Sequence, residues 1–417
     1  MKKDILTYFV GKLLPMLVNL SFVILGVRYL GKVEYGKFSL IYSSLFTFFM
    51  LCFGWIQQGI LRFNTKESFS KQKSAFFFTI SFWMSILLML IMIFSSVIYF
   101  KVNFLLSILI GGSAFLFTQL FYFLTIYQSN INSKLYALTE SSFYMMWFAV
   151  SSVFIMLSFY NFWIGFVALF ISLLSVISIL YLKNISELKL ISILVLFNEH
   201  QQELKKMLSY GLPIALWLFL SSAFNFADRF IIEKNYGYGD AGLYSTVYDL
   251  FFKLATFVCM PFLLSNHSRV VNEWNEKRYS VSWSIIKTSL ILEIGLMIIS
   301  MIVIFFLGEW ALTFLTNIKL QNFNSIALPI LAASFIWQIG MFVHKPLELY
   351  FKQWYLILAV SFSLMVNVSL NILFIPNYKF QAASFSTLIG TLVYVILVSL
   401  IIFWKKFHKL STVENNV

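Results

Sequence analysis

Ionisable side chains inside long apolar runs are the residues of this chain whose types and spacing could do chemistry. Lys12 lies in the first such run, with Asn19 seven residues on and Gly26 seven further, a spacing that puts all three on one helical stripe near Pro15. Asp249 and Lys253 stand four apart on one face of a later run. Ser221, Asn225 and the pair Asp228–Arg229 mark a polar stripe on the run before it, and Glu293 falls near the middle of the run after it with no opposite charge within a turn. A charge at mid-membrane costs at least ~2.5–3.5 kcal/mol on insertion scales, so each of these groups needs a partner or a watery cavity.

The chemistry open to them is ion recognition. Lys12, Arg28, Arg229 and Lys253 are cations that can hold an anion; Asn19 and Asn225 add neutral hydrogen-bonding groups beside them. Asp249 can orient Lys253, and Glu293 can take a proton or a cation, which makes these two acids candidates for ion coupling. Each has a structural alternative: Lys12 snorkelling to the interface, Asp249 and Lys253 neutralising one another, Arg229 anchoring the outer interface, and Glu293 pairing with a base on another helix. His344 and Glu348, four apart with Lys345 between, read as an interfacial cluster. Gln119, Gln338, Asn367 and Asn371 are polar points that line a cavity or join helices.

Other chemistries find no footing. The four histidines make no HxxxH or HExxH pattern, and Cys52 and Cys259 both lie in apolar runs, so neither a metal site nor a disulfide framework is expected. No nucleophile–base constellation can be assigned, hence no catalytic residue and no resident cofactor. Gly26-Val-Arg-Tyr-Leu-Gly31-Lys32 matches the start of a phosphate-binding loop, but Val33 stands where Ser or Thr would hold magnesium and no strand precedes it. Without an ATPase module, uphill work falls to a proton or sodium gradient, a partner or product removal.

The elements that must position these residues follow from composition. The 417 residues are 60% hydrophobic and 11% charged, with a mean hydropathy of +0.85. So few charges cannot cover a water-facing body, which excludes a soluble enzyme, a disordered chain and a disulfide scaffold. A bilayer core needs about 20 apolar residues per helix, and twelve runs qualify: 7–30, 38–60, 76–100, 104–127, 137–160, 162–182, 210–232, 242–264, 283–307, 326–350, 354–375 and 382–404. The expected fold is an all-α polytopic membrane protein of two six-helix bundles, with an N-terminal lobe 1–182, a cytoplasmic linker 183–209, a C-terminal lobe 210–404 and a cytoplasmic tail 405–417. The opening Met-Lys-Lys-Asp and its apolar stretch read as an uncut first helix rather than a signal peptide. Of the 30 Lys and Arg residues, 20 fall on one side of these runs and 8 on the other, with Lys12 and Lys253 inside helices. That bias places both termini in the cytoplasm and accounts for the +13 charge without nucleic-acid binding.

The two halves echo one another. Gly36-Lys-Phe38-Ser39-Leu-Ile-Tyr42 opens the second run and Gly242-Leu-Tyr244-Ser245-Thr-Val-Tyr248 the eighth, with Pro15 and Pro213 early in the run before and Arg28 and Arg229 late in it. This suggests an internal duplication of six helices.

Those motifs, with Arg28-Tyr-Leu-Gly31-Lys-Val-Glu-Tyr35, Tyr210-Gly211-Leu-Pro213 and Ala227-Asp228-Arg229-Phe230, resemble the bacterial polysaccharide-export and O-antigen flippase (Wzx-type) family of the multidrug, oligosaccharidyl-lipid and polysaccharide exporter superfamily. The resemblance implies two six-helix bundles facing one another around a central cavity in the bacterial inner membrane. It implies alternating access that carries an undecaprenyl-diphosphate-linked oligosaccharide, a sugar repeat unit, from the cytoplasmic to the periplasmic leaflet. Membrane lipids, a polysaccharide polymerase and a chain-length regulator are the partners that go with that activity. Asp228–Arg229 matches the family's common Asp-Arg of the seventh helix.

Three rivals remain at this point. A cation-coupled drug exporter of the same superfamily often carries an acid in its first helix, where this chain has Lys12. A flippase for the peptidoglycan lipid precursor typically has fourteen helices rather than twelve. An O-antigen polymerase, an enzyme, generally needs a large periplasmic loop; the longest outer connection expected here spans only 308–325.

Overall fold

The computed structural model describes the backbone of residues 2–64, 71–130, 132–184, 190–191, 200–350 and 352–414, with side chains throughout except at 2–13, 71–73, 260–261, 264–265, 267–268 and 405–414. Residues 185–189 and 192–199 of the expected linker 183–209 lie outside these residues. What is described is all-helical, as the composition requires: in hydrocarbon every backbone N–H and C=O must be bonded internally, and a helix does this within one segment. Hydroxyls obey the same rule by bonding back one turn. Ser43 donates to the Ser39 carbonyl, Thr79 to that of Ala75 and Ser172 to that of Ala168, at 2.6–2.7 Å.

The helices are α1 (Lys2–Leu25), α2 (Gly31–Phe63), α3 (Lys71–Ile98), α4 (Phe104–Ser129), α5 (Ser133–Met156) and α6 (Trp163–Asn184). The continuous segment Gln201–Asn275 breaks at Gly237 into α7 (201–236) and α8 (238–275). After α9 (Tyr279–Thr316), α10 (Phe323–Val343) and the short helix Lys345–Leu349, the segment Gln353–Glu414 breaks at Lys379 into α11 (353–378) and α12 (380–414). Among the described residues the twelve apolar runs thus correspond to twelve long helices, and eight continuous stretches, covering all of them but α5, are long and apolar enough to cross a membrane. The chain is a multi-pass membrane protein.

Several boundaries differ from the sequence reading. The first run does not remain α-helical to Leu30 but passes into a π-helical turn, Gly26–Leu30, before α2 begins at Gly31. Residues 201–209, polar and assigned to the linker, form the first turns of α7. Helix α9 continues to Thr316, where Asn317 ends it in the left-handed conformation (φ 59°), so the expected connection 308–325 shrinks to 317–322. Hydropathy sees only an unbroken apolar run, and charged residues such as Lys205, Lys206 and Glu309 interrupt that run inside the helix.

Two compact units divide the chain, Met1–Ser222 and Ala223–Val417. In the first, Trp147 and Phe38 are buried with Phe22, Trp147 lying 4.5 Å and Phe38 5.2 Å from its ring centre, while Trp147 Nε1 donates to the Gly165 carbonyl at 3.2 Å. Gln119 is fully enclosed and satisfied, donating to Ser85 (2.7 Å) and accepting from Tyr181 (2.9 Å). The early part of α7 belongs to this unit and lies against α2. A Cβ on Gly211 would stand 2.2 Å from the Trp55 carbonyl oxygen, so the two backbones meet with no room for a side chain. Ser222 and Thr47 share a hydrogen bond of 2.9 Å further along the same seam. In the second unit Phe224, Trp337 and Tyr394 stack in sequence at 5.3–5.4 Å.

The breaks before α2 and α8 match. Gly31 has φ 80° and Gly237 φ 81°, and they are spaced in the chain as Gly36 is from Gly242. With ψ of 167° and 178° both occupy a region reserved for glycine, so the echo between the halves extends to the backbone.

Candidate functional site

The break at Gly237 folds α8 back along α7 and brings together residues far apart on a continuous helix. Arg229, on α7, is 1% exposed, and its Nη2 donates to Asp249 Oδ1 on α8 at 2.6 Å. The guanidinium lies over the rings of Phe226 (4.7 Å) and Tyr248 (4.9 Å), where the ring quadrupoles favour a cation. Arg229 is therefore an enclosed, paired charge and not an anchor at the outer interface.

Asp228, next to it and fully buried, is held by three donors. Its Oδ2 accepts from Tyr244 (2.6 Å) and Thr387 on α12 (3.3 Å), and its Oδ1 from the Arg229 backbone N–H (2.8 Å). Tyr248 donates to Asn225 Oδ1 at 2.9 Å. Lys253 lies one turn beyond Asp249, within the fields of Asp249 and Arg229. Asp249 retains 18% side-chain exposure, making it the accessible member of a cluster whose other carboxylate is sealed.

Of the residues singled out by sequence, the structure gathers Asn225, Arg229, Asp249 and Lys253 in one cluster of the second unit. Asn19 donates to the Pro15 carbonyl of its own helix at 2.9 Å, and Arg28 is exposed on the π-helical turn. The Lys12 side chain lies outside the described residues. Glu293 is fully buried on α9, with no hydrogen bond to either carboxylate oxygen among the described residues. His344 and Lys345 are enclosed rather than merely interfacial: His344 bonds Tyr394 at 2.7 Å and faces Glu348 at 3.0 Å, and Glu348 also pairs with Lys345.

Sequence reasoning missed Tyr244, Tyr248 and Thr387. The two tyrosines were visible as the counterparts of Phe38 and Tyr42, and the Phe-to-Tyr difference at the first of them adds the hydroxyl that Asp228 uses. Thr387 carries no such signal. No group of three or more His, Cys, Asp or Glu arranged for a metal occurs among the described residues.

No protein-family model matches the chain, and no curated protein matches it by sequence. Solved structures do. A Vibrio cholerae MATE transporter shares 12% identity over 95% of each chain, with a TM-score of 0.68. The lipid II flippase MurJ, in an inward closed conformation, shares 17% over 96% of this chain and 87% of its own, at 0.67. A MOP superfamily transporter from Pyrococcus furiosus shares 14% over 98% and 95%, at 0.67. At these identities the likeness is one of fold: the chain has the all-helical membrane fold common to MATE transporters and MurJ.

Proposed function

We propose that this chain is a transporter of the MOP superfamily that flips an anionic lipid-linked oligosaccharide across the bacterial inner membrane by alternating access. Its cargo is a polysaccharide repeat unit on undecaprenyl diphosphate, moved from the cytoplasmic to the periplasmic leaflet while the polyprenyl tail stays in lipid. The observation that carries this reading is the Arg229–Asp249 pair beside Lys253. Two basic residues are stationed inside membrane-spanning helices, and the counter-ion of Arg229, Asp249, is partly exposed. A substrate diphosphate can exchange for an accessible carboxylate, whereas Asp228, sealed by Tyr244 and Thr387, serves to hold Arg229 in place. The resemblance of residues 28–39, 210–213, 227–230 and 242–245 to Wzx-type flippases supports the same cargo.

A second reading, a cation-coupled multidrug exporter, is favoured by the fold likeness to MATE transporters. The decisive experiment measures the leaflet distribution of lipid-linked repeat units in cells depleted of this protein, with synthesis and polymerase intact and redundant flippases removed. Accumulation on the cytoplasmic face, reversed by re-expression, is expected. Normal delivery to the periplasmic face overturns the flippase reading and brings the exporter forward.

A further inference from the structure

Helix α9 turns one narrow stripe inward. Ser282, Ile286, Ser289 and Glu293 are buried at successive spacings of four, three and four, while Ile291, Leu292, Ile294, Ile298 and Ile299 around them are exposed. The two serines of the stripe are bonded to α8: Ser282 donates to the Val270 carbonyl (3.2 Å) and Ser289 accepts from Asn266 (2.8 Å). Glu293 continues the stripe, fully enclosed, yet among the described residues neither of its oxygens has a hydrogen-bond donor.

Among the described residues, the groups around it offer no counter-charge. From α8 comes the buried Cys259 thiol, within the field of Glu293; the His267 side chain lies outside the described residues. Helix α10, packed along α9, carries no charged residue between Phe323 and Val343, and its polar Gln338 is engaged with Thr256 at 3.0 Å. Lys287 and Glu309 on α9 and Arg269 on α8 are exposed, and Lys253 and Asp249 lie toward the other end of α8. An ionised carboxylate without donor or cation is among the costliest groups to enclose. A metal or sodium ion would need several oxygen ligands, and the described surroundings supply one carboxylate.

We infer that Glu293 is a proton-binding site, separate from the Arg229–Asp249 cluster, whose proton is taken up and released in the transport cycle. It holds the proton when α9 is closed on α8 and loses it when the enclosure opens. Glu293 ends the packed part of the helix: a Cβ added to Gly295 would meet nothing within 4 Å, and α9 buries no residue from 294 to 307. On α8, Asp249, Lys253, Thr256 and Cys259 follow at spacings of four, three and three. One helical face thus runs from the charged cluster to the carboxyl, the connection through which protonation and cargo binding influence one another. The coupling half of the inference rests on the transporter reading; the proton site does not.

Infrared difference spectroscopy of the purified protein in lipid nanodiscs tests the site without any cargo. The wild type is expected to show the C=O stretch of a protonated carboxylic acid that titrates with pH and disappears in Glu293→Gln. Identical carboxylic-acid bands in wild type and Glu293→Gln overturn the site. Coupling is tested in proteoliposomes with a synthetic polyprenyl-diphosphate disaccharide as probe. A pH gradient is expected to accelerate its movement in the wild type and to have no effect in Glu293→Gln; an equal response in both overturns the coupling. Failure of the wild type to move the probe would count against the flippase reading and leave the infrared result standing. Glu293→Gln keeps shape and neutrality, and an unchanged melting temperature would confirm that it folds.

Discussion

Arg229 on α7 and Asp249 on α8 meet at 2.6 Å, an ion pair made across the break at Gly237 between two helices that are continuous in the chain. Breaking a buried pair strands the remaining charge and costs about 3–5 kcal/mol, whereas replacing both members by apolar residues is often neutral or stabilising. Arg229→Met is therefore expected to lower the melting temperature in detergent sharply. Arg229→Met combined with Asp249→Leu should recover much of the loss but no transport. A double variant as unstable as the single one would show that the pair is not energetically coupled.

Tyr244 supplies one of the three hydrogen bonds to the buried Asp228. Tyr244→Phe removes that donor and leaves a partly satisfied carboxylate, at a cost of about 1–3 kcal/mol. Phe38→Tyr at the matching place in the first half adds a hydroxyl among the Phe22, Tyr42 and Phe166 rings and is expected to destabilise as well. Thermal melts of the two variants check both expectations.

Lys253 shares the Asp249 field with Arg229 and has a proposed role with cargo rather than in folding. Lys253→Ala should reduce repeat-unit translocation several-fold at matched membrane levels, and Lys253→Arg should retain most of it because the charge survives. Full translocation by Lys253→Ala would remove this residue from the head-group field.

Two glycines give opposite expectations. At Gly211 a methyl group would collide with the Trp55 backbone at 2.2 Å, so Gly211→Ala must push α7 from α2 and lose about 1–3 kcal/mol. At Gly295 nothing lies within 4 Å, and Gly295→Ala should gain up to about 1 kcal/mol from helix propensity. Comparing melting temperatures of the pair separates close packing from propensity.

Gly31 and Gly237 carry matching backbone angles, φ 80° and 81°. Alanine at either position has open space but a forbidden conformation, and each substitution is expected to cost about 1–3 kcal/mol. Similar losses in the two variants would show that both halves depend on the same break.

What the sequence by itself determined is what depends on neighbours along the chain. Apolar runs of membrane length set the twelve helices, because hydrocarbon tolerates no unbonded backbone; the Gly36 and Gly242 motifs revealed the repeated turn between helices; and Glu293 stood out as an acid with no base within reach on its own helix. Where a helix runs past its unbroken apolar stretch, as at 201–209 and 308–316, hydropathy stopped short because charged residues such as Lys205, Lys206 and Glu309 interrupt the stretch. The tertiary structure decided the partners. Spacing along α8 paired Asp249 with Lys253, but the fold at Gly237 also presents it to Arg229. Thr387 reaches Asp228 from far down the chain, and the described residues of α8 and α10 leave Glu293 enclosed without a donor. A charge in a membrane helix announces from the sequence that it must be compensated, since desolvation is a property of the run it sits in. Which group compensates it depends on how helices pack sideways, and residues distant in sequence settle that only when the chain has folded.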